Sequence, residues 1–316
     1  MDKWRTYGLG IGICLALAGI VGVWGSHDRI YRWMLGDVAG KYSEALAACR
    51  ERDYEEARRL FVPLARMDSA SYAQYLLGDM YYRGLGGERD YDRALSLFRK
   101  SADRGNLNAQ NNIAFMYMYG HGVEANYTKA REHFKWAASQ GNAQAQLGLG
   151  TMYRHGWGIQ RSYREALDWY RRSAAHGNAD AMNNIGYMYY NGMGTSTNAS
   201  MAHYWFRKSA ALDNAAAQYN MGVLYCCGKG GVSRNLEEAA SWLLKAASQG
   251  NVPAQYNLGR MSYWGKGVEK DVRKAEMWYR MAAYQGHKRA ETALKKLEEG
   301  LTMAEDSVFM LEVADR

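Results

Sequence analysis

The segment LGDMYYRG at Leu77–Gly84 returns five more times along this chain. It recurs as IAFMYMYG from Ile113, LGTMYRHG from Leu149, IGYMYYNG from Ile185, MGVLYCCG from Met221 and LGRMSYWG from Leu258. The copies are spaced by 36 residues until the last, which is displaced by 37. A unit this short cannot bury its own apolar face. Copies must therefore stack, and the core then runs along the stack.

Aligned on their first alanine, the units start at Ala73, Ala109, Ala145, Ala181, Ala217 and Ala254, and the extra residue of the fifth fits the doubled glycine Gly230–Gly231. The first stretch of each unit has small and apolar residues at helical spacing. It stops at a Gly-x-Gly pair such as Gly156/Gly158 or Gly192/Gly194, glycine being suited to the left-handed position that closes a helix. A second helix is expected behind Asp90, Asn126, Ser162, Asn198, Asn235 and Asp271, residue types that cap helices well. That helix alternates small residues (Ala166, Ala174) with large ones (Phe98, Phe134, Tyr170, Phe206, Leu243, Tyr279), a pattern that lets stacked helices interdigitate.

These strings, A…LG.MY..G.G with a following D…A..WY..AA..G, resemble the Sel-one-like repeat, a relative of the tetratricopeptide repeat. The resemblance covers six units from Ala73 to Arg289. It implies an all-α fold, an α/α superhelical solenoid of helix-turn-helix repeats used for protein–protein interaction, and no reaction. The expected domains are a membrane-spanning helix at 1–28, a degenerate helical cap at 29–72, the six repeats at 73–289, and a capping helix with its tail at 290–316. Within the N-terminal cap, the first helix is expected near Gly36–Arg50, and DYEEARRLF from Asp53 mimics the second helix of a unit.

The stretch Tyr7–Gly25 holds 19 residues without a charge, preceded by Lys3 and Arg5. At about 1.5 Å per residue that length just crosses a bilayer core, and the basic flank keeps the N-terminus cytoplasmic. Ala16-Leu17-Ala18 offers a signal-peptidase-like site, but the apolar run continues past it, which favours an uncleaved anchor over a cleaved signal and a soluble periplasmic product. The expected location is the inner membrane, single-pass, with the repeats in the periplasm.

The net charge of +8 comes from basic residues scattered over second helices, such as Arg171/Arg172 and Arg207/Lys208. There they complement helix dipoles, and nucleic acid is not expected as a partner. Of the four cysteines, Cys226 and Cys227 are adjacent. They are read as small helix-end side chains in preference to a strained disulfide. No H-E-x-x-H, GxxxxGK[ST] or GxSxG pattern occurs. His133 occupies a place that other units give to tryptophan, and His121 and His155 are expected in the inter-helix loops of neighbouring units, without a metal-ligand spacing. No catalytic residue, cofactor, metal or small-molecule substrate is expected.

Function should then lie at positions that vary between units. The third, seventh, tenth and eleventh positions of each unit are expected to face a groove. The residues singled out are Tyr75, Tyr82, Phe115, Tyr119, Arg154, Tyr187, Tyr190, Tyr219, Tyr256, Arg260, Tyr263 and Trp264. Tyrosine, tryptophan and arginine dominate interface hot spots; the competing reading is that these rings pack between adjacent first helices. The expected partner is a protein, reached from the membrane through the N-terminal helix. It is either a component of an envelope assembly or, in the alternative reading that the family resemblance suggests, a secreted toxic effector such as a periplasmic phospholipase, with this chain as its immunity protein.

Overall fold

The computed structural model describes residues 28–67 and 70–301. The apolar stretch Tyr7–Gly25, Cys14 and the tail from Thr302 lie outside the described residues. Among those described there are fifteen α-helices and no strand, and no helix is long and apolar enough to cross a membrane. The chain divides into two compact units, Met1–Arg104 and Gly105–Arg316.

In the first unit, α1 (Asp28–Glu51), α2 (Tyr54–Ala65), α3 (Ser71–Arg83) and α4 (Tyr91–Ala102) each pack on the next. Helix α1 begins well before the expected Gly36. Asp53 opens α2 by accepting the Glu56 N–H at 3.1 Å. Phe61 and Phe98 are fully buried, and the Tyr42 ring meets Phe61 edge-on at 5.9 Å. Gln74 on α3 ties back to α2 by donating to the Ala65 carbonyl at 3.2 Å.

The second unit is a stack of helical hairpins. Its first helices are α5 (Leu107–Tyr119), α7 (Ala143–His155), α9 (Ala179–Asn191), α11 (Ala215–Cys227) and α13 (Val252–Trp264). Its second helices are α6 (Tyr127–Ser139), α8 (Tyr163–Ala175), α10 (Ala199–Ala210), α12 (Leu236–Ser248) and α14 (Val272–Tyr284), and α15 (Lys288–Glu298) closes the stack. Within this unit each helix packs on its neighbours in sequence, as a solenoid requires.

Asparagines set most of the starts. Asn142 Oδ1 accepts the Ala145 N–H at 2.8 Å, and Asn198 Oδ1 accepts the Met201 N–H at 2.9 Å, satisfying donors that a helix N-terminus leaves open. The first glycine of each Gly-x-Gly takes the left-handed cap, as at Gly156, whose N–H reaches the Met152 carbonyl at 2.8 Å. The second glycine has a different role. Gly194 also has positive φ, and a Cβ there would sit 2.6 Å from the Tyr163 backbone carbon at the start of α8 in the preceding hairpin. The pair thus ends one helix and seats the loop on the hairpin before it.

The Leu-Gly position is set by close approach within a hairpin. A Cβ on Gly186 would lie 2.7 Å from the Phe206 ring, and one on Gly259 2.6 Å from Tyr279. In α5 this place belongs to Ala114, which is fully buried near Phe134. Polar ties add to the apolar core. Ser173 Oγ and Ser209 Oγ each donate at 2.7 Å to the carbonyls of Ala143 and Ala179. Successive hairpins are joined through cap residues, Asn178 Nδ2 donating to Gln144 Oε1 at 2.9 Å and Asn214 Nδ2 to Asp180 Oδ1 at 2.8 Å.

Candidate protein-binding face

The variable positions of the first helices fall into two groups. In the first unit, Tyr75 and Tyr82 on α3 are half-buried. Tyr75 lies 5.7 Å from the Tyr72 ring and 6.1 Å from Phe98, and Tyr82 lies 5.3 Å from Tyr91 and 6.4 Å from Phe98. Both rings belong to the packing of their own hairpin. Between them Asp79 is buried and pairs with Arg83 at 2.9 Å. Burial, the larger influence, raises the Asp79 pKa above its usual value, and the Arg83 charge works against that rise.

In the second unit, two of the residues expected at positions three and ten do not lie open. Tyr219 is 4% exposed and Arg154 5% exposed, so neither presents a free side chain. The cause is the approach of neighbouring first helices. Asn257 on α13 donates to the Tyr219 hydroxyl at 3.3 Å, and Asn220 on α11 donates to Asn183 on α9 at 2.9 Å. These positions form the seams between successive first helices. Arg154 reaches across its seam to place its guanidinium carbon 5.4 Å from the Tyr187 ring centroid, a cation–π arrangement.

Positions seven and eleven stay more open, together with Tyr190 and Tyr263 at position ten and Tyr256 at position three. Tyr119 is 57% exposed, and its ring stacks parallel to half-buried Phe115 at 6.1 Å. Phe115 in turn meets Phe134 edge-on at 5.0 Å. Tyr187, Tyr190, Tyr256, Arg260, Tyr263 and Trp264 are all half-buried. Tyr263 and Trp264 meet edge-to-face at 4.8 Å, and Arg260 lies 5.9 Å from the Tyr256 ring centroid. Each of these rings is supported by a neighbour and keeps part of its surface accessible, which limits the ordering cost of binding.

Lys229, in the turn after α11, belongs to this face and was not among the expected residues. Its ammonium lies 3.2 Å from the Tyr190 hydroxyl and 5.3 Å from that ring's centroid. The hydrogen bond to Tyr190 raises the Lys229 pKa and keeps the side chain cationic. The signal available in the sequence was the extra residue of the fifth unit, which lengthens this one turn. Beside it, Cys226 and Cys227 are free thiols. Their mutual hydrogen bond, with burial adding to it, pushes the Cys226 pKa up. Among the described residues no group of three or more His, Cys, Asp or Glu is placed to hold a metal ion. His133 Nδ1 lies 2.6 Å from Gln110 Oε1, and its ring stacks on Tyr117 at 5.7 Å, so its place is one of packing.

The family model described as Sel1 repeat matches six consecutive segments, 71–106, 107–142, 143–178, 179–214, 215–251 and 252–287. Each segment starts where a first helix starts. Two solved structures share the fold at TM-score 0.66 and 29% identity. One is a protective antigen of uropathogenic Escherichia coli displaying an SLR fold; the match covers 88% of this chain, which spans 61% of that antigen. The other is a Sel1 repeat protein from Oxalobacter formigenes, where the match covers 77% of this chain and 96% of that one. An immunity protein from Pseudomonas aeruginosa is similar at 21% identity and TM-score 0.48, over 66% of this chain and 81% of that one. No curated protein matches the sequence.

Proposed function

This chain belongs to the Sel1 repeat family, and from that premise we propose that it is a non-catalytic, membrane-anchored adaptor whose first helices hold a partner protein. The observation that carries the reading is the set of half-buried rings on α5, α9 and α13, Phe115, Tyr187, Tyr190, Tyr256, Tyr263 and Trp264. Such rings bring large contact area at small entropic cost, and their partial burial leaves surface for a partner to cover. Tyr7–Gly25 supplies the anchor, in the inner membrane, with the repeats on the periplasmic side.

Pull-down with the full chain tests the reading. Tyr187→Ala with Tyr190→Ala should abolish retention of the partner while the far-ultraviolet circular dichroism stays that of the parent. Equal retention by parent and variant refutes the binding face, and a loss of helicity assigns the two rings to the core. Mass spectrometry of the retained protein separates an envelope assembly component from a secreted effector such as a phospholipase, which this chain would then inhibit. Alkaline phosphatase fused after Gly300 should be active in a bacterial host; an inactive fusion refutes the periplasmic placement.

A further inference from the structure

The binding face has a charge pattern of its own. In the Gly105–Arg316 unit the first helices α5, α7, α9, α11 and α13 contain a single carboxylate, Asp180. It lies in the first turn of α9, where Asn214 donates to it at 2.8 Å. The second helices carry the acidic residues of the hairpins, Glu132, Glu165, Asp168, Glu237, Glu238 and Glu276. The second helices also carry most of the bases, such as Lys129, Arg171, Arg207 and Arg280, and the turns after α5 and α13 add Glu124 and Glu269. The first helices themselves are therefore poor in charge and nearly without carboxylates. The repeat does not require this, since α3 in the other unit places Asp79 at the equivalent of Phe115 and Tyr187.

Cations do occupy the first-helix side. Arg260 comes from α13, and Lys229 and Arg234 from the turn after α11, whereas Arg154 of α7 is buried in its seam. The charges of Arg234 and Arg260 both act on Cys226, and Lys229 interacts with Cys227. Tyrosines position the heads, Tyr190 under Lys229, Tyr187 under Arg154 and Tyr256 under Arg260. A ring face attracts a cation without cancelling its charge.

A surface of aromatic rings interleaved with cations and almost free of carboxylates repels basic partners and attracts acidic ones. We infer that the partner meets this face with an acidic polypeptide segment, its carboxylates set against Lys229, Arg234 and Arg260 and its apolar side chains against the tyrosines. The inference rests on the reading of this face as a protein-binding surface and adds the chemistry of what binds. A nucleic acid offers the same sign of charge. The cations here are few, and Lys229 and Arg260 are each set against a ring, which suits spaced carboxylates better than a continuous phosphate chain.

The test is selection of a phage-displayed random dodecapeptide library on the full chain. The selected peptides should be enriched in Asp and Glu over the unselected library, and their affinity should fall at least tenfold for K229Q/R260Q. It should also fall as salt is raised, since exposed charges are screened. The double variant replaces a turn residue and a half-buried one, and its circular dichroism checks its fold. Peptides that bind in a Tyr187- and Tyr190-dependent manner without acidic enrichment, or that bind K229Q/R260Q as tightly as the parent, overturn the inference and leave the binding face standing. Failure to select any peptide that depends on these tyrosines counts against the face itself. Two other occupants overturn the acidic partner directly. One is a labelled oligodeoxythymidine bound at this face and lost in the same variant. The other is the chain's own acidic tail, shown by a rise in peptide affinity above tenfold when residues 302–316 are removed.

Discussion

Gly194→Ala and Gly177→Ala differ in a way that isolates one term of the stack. Both glycines have left-handed backbone, with φ of +70° and +80°. Both substitutions therefore carry the same conformational cost, about 1–2 kcal/mol for an L side chain in that region. Both also gain the same small offset from a less flexible unfolded chain, roughly 0.4–1 kcal/mol. Their surroundings are not alike. A Cβ on Gly177 meets nothing within 4 Å, whereas one on Gly194 lies 2.6 Å from the Tyr163 carbonyl carbon and 2.8 Å from the Arg164 nitrogen. Those atoms are backbone at the start of α8 and cannot swing aside, so the loop must lift off the preceding hairpin. Forced overpacking of this kind costs about 1–3 kcal/mol. Gly194→Ala should accordingly be less stable than Gly177→Ala by that amount. Urea unfolding followed by circular dichroism measures both, and a slope of about 1–3 kcal/mol per molar converts the difference into a clearly separated midpoint. A stacked array can open in parts, so hydrogen exchange of the α8 and α9 amides should accompany the titration. Those amides should lose protection in Gly194→Ala and keep it in Gly177→Ala. Equal losses for the two variants would refute the argument that the second glycine seats one hairpin on another.

Asn214→Ala removes both a cap, the Ala217 N–H bond at 2.9 Å, and the tie to Asp180 at 2.8 Å, whereas Asn235→Ala removes the cap on Glu238 at 3.0 Å. The second should cost about 1 kcal/mol and the first measurably more in the same titration; equal costs would show that the inter-hairpin bond adds nothing. His203 has its pKa lowered from 6.5, by burial first and by the Arg207 charge second. Its neutral form is favoured in the fold, and the unfolded chain takes up the proton at higher pH. The stability it contributes is therefore complete above about pH 6.5 and is lost as pH falls below that value toward the folded pKa. His203→Gln should flatten the fall in urea midpoint between about pH 8 and about pH 5, and an unchanged pH profile would sink the assignment.

The helices and their caps were legible because each rests on local chemistry. Asn126, Ser162 and Asp271 announce helix starts, and Gly156 and Gly192 announce stops. The surface was less legible, for a reason of geometry. Arg154 and Tyr219 have the residue types and helical positions of contact residues, yet the neighbouring first helix covers them. Asn183 pairs with Asn220, which lies 37 residues away, one residue off the repeat spacing. The periodicity therefore conceals the pairing. The second glycine of Gly-x-Gly told only part of its role. Its residue type suggested a turn, and its neighbour Tyr163 is remote in sequence from Gly194. Lys229 was missed because the one-residue extension of its turn looked like a spacing irregularity and not a change in what the turn presents.

Each apolar cluster of the second unit is confined to adjacent hairpins, from Ala114 to Met152, Ala166 to Met188, Ala202 to Leu224, Tyr219 to Met261 and Ala275 to Ala293. This has a consequence for the gene. Recombination that adds or removes one whole unit rejoins surfaces that already match, so the core survives and the rows of variable residues change in length. An insertion within a helix would break the seam, whereas the extra residue of the fifth unit is taken up in its turn. Evolution can thus tailor the footprint offered to a partner in steps of one hairpin, leaving the rules of packing untouched.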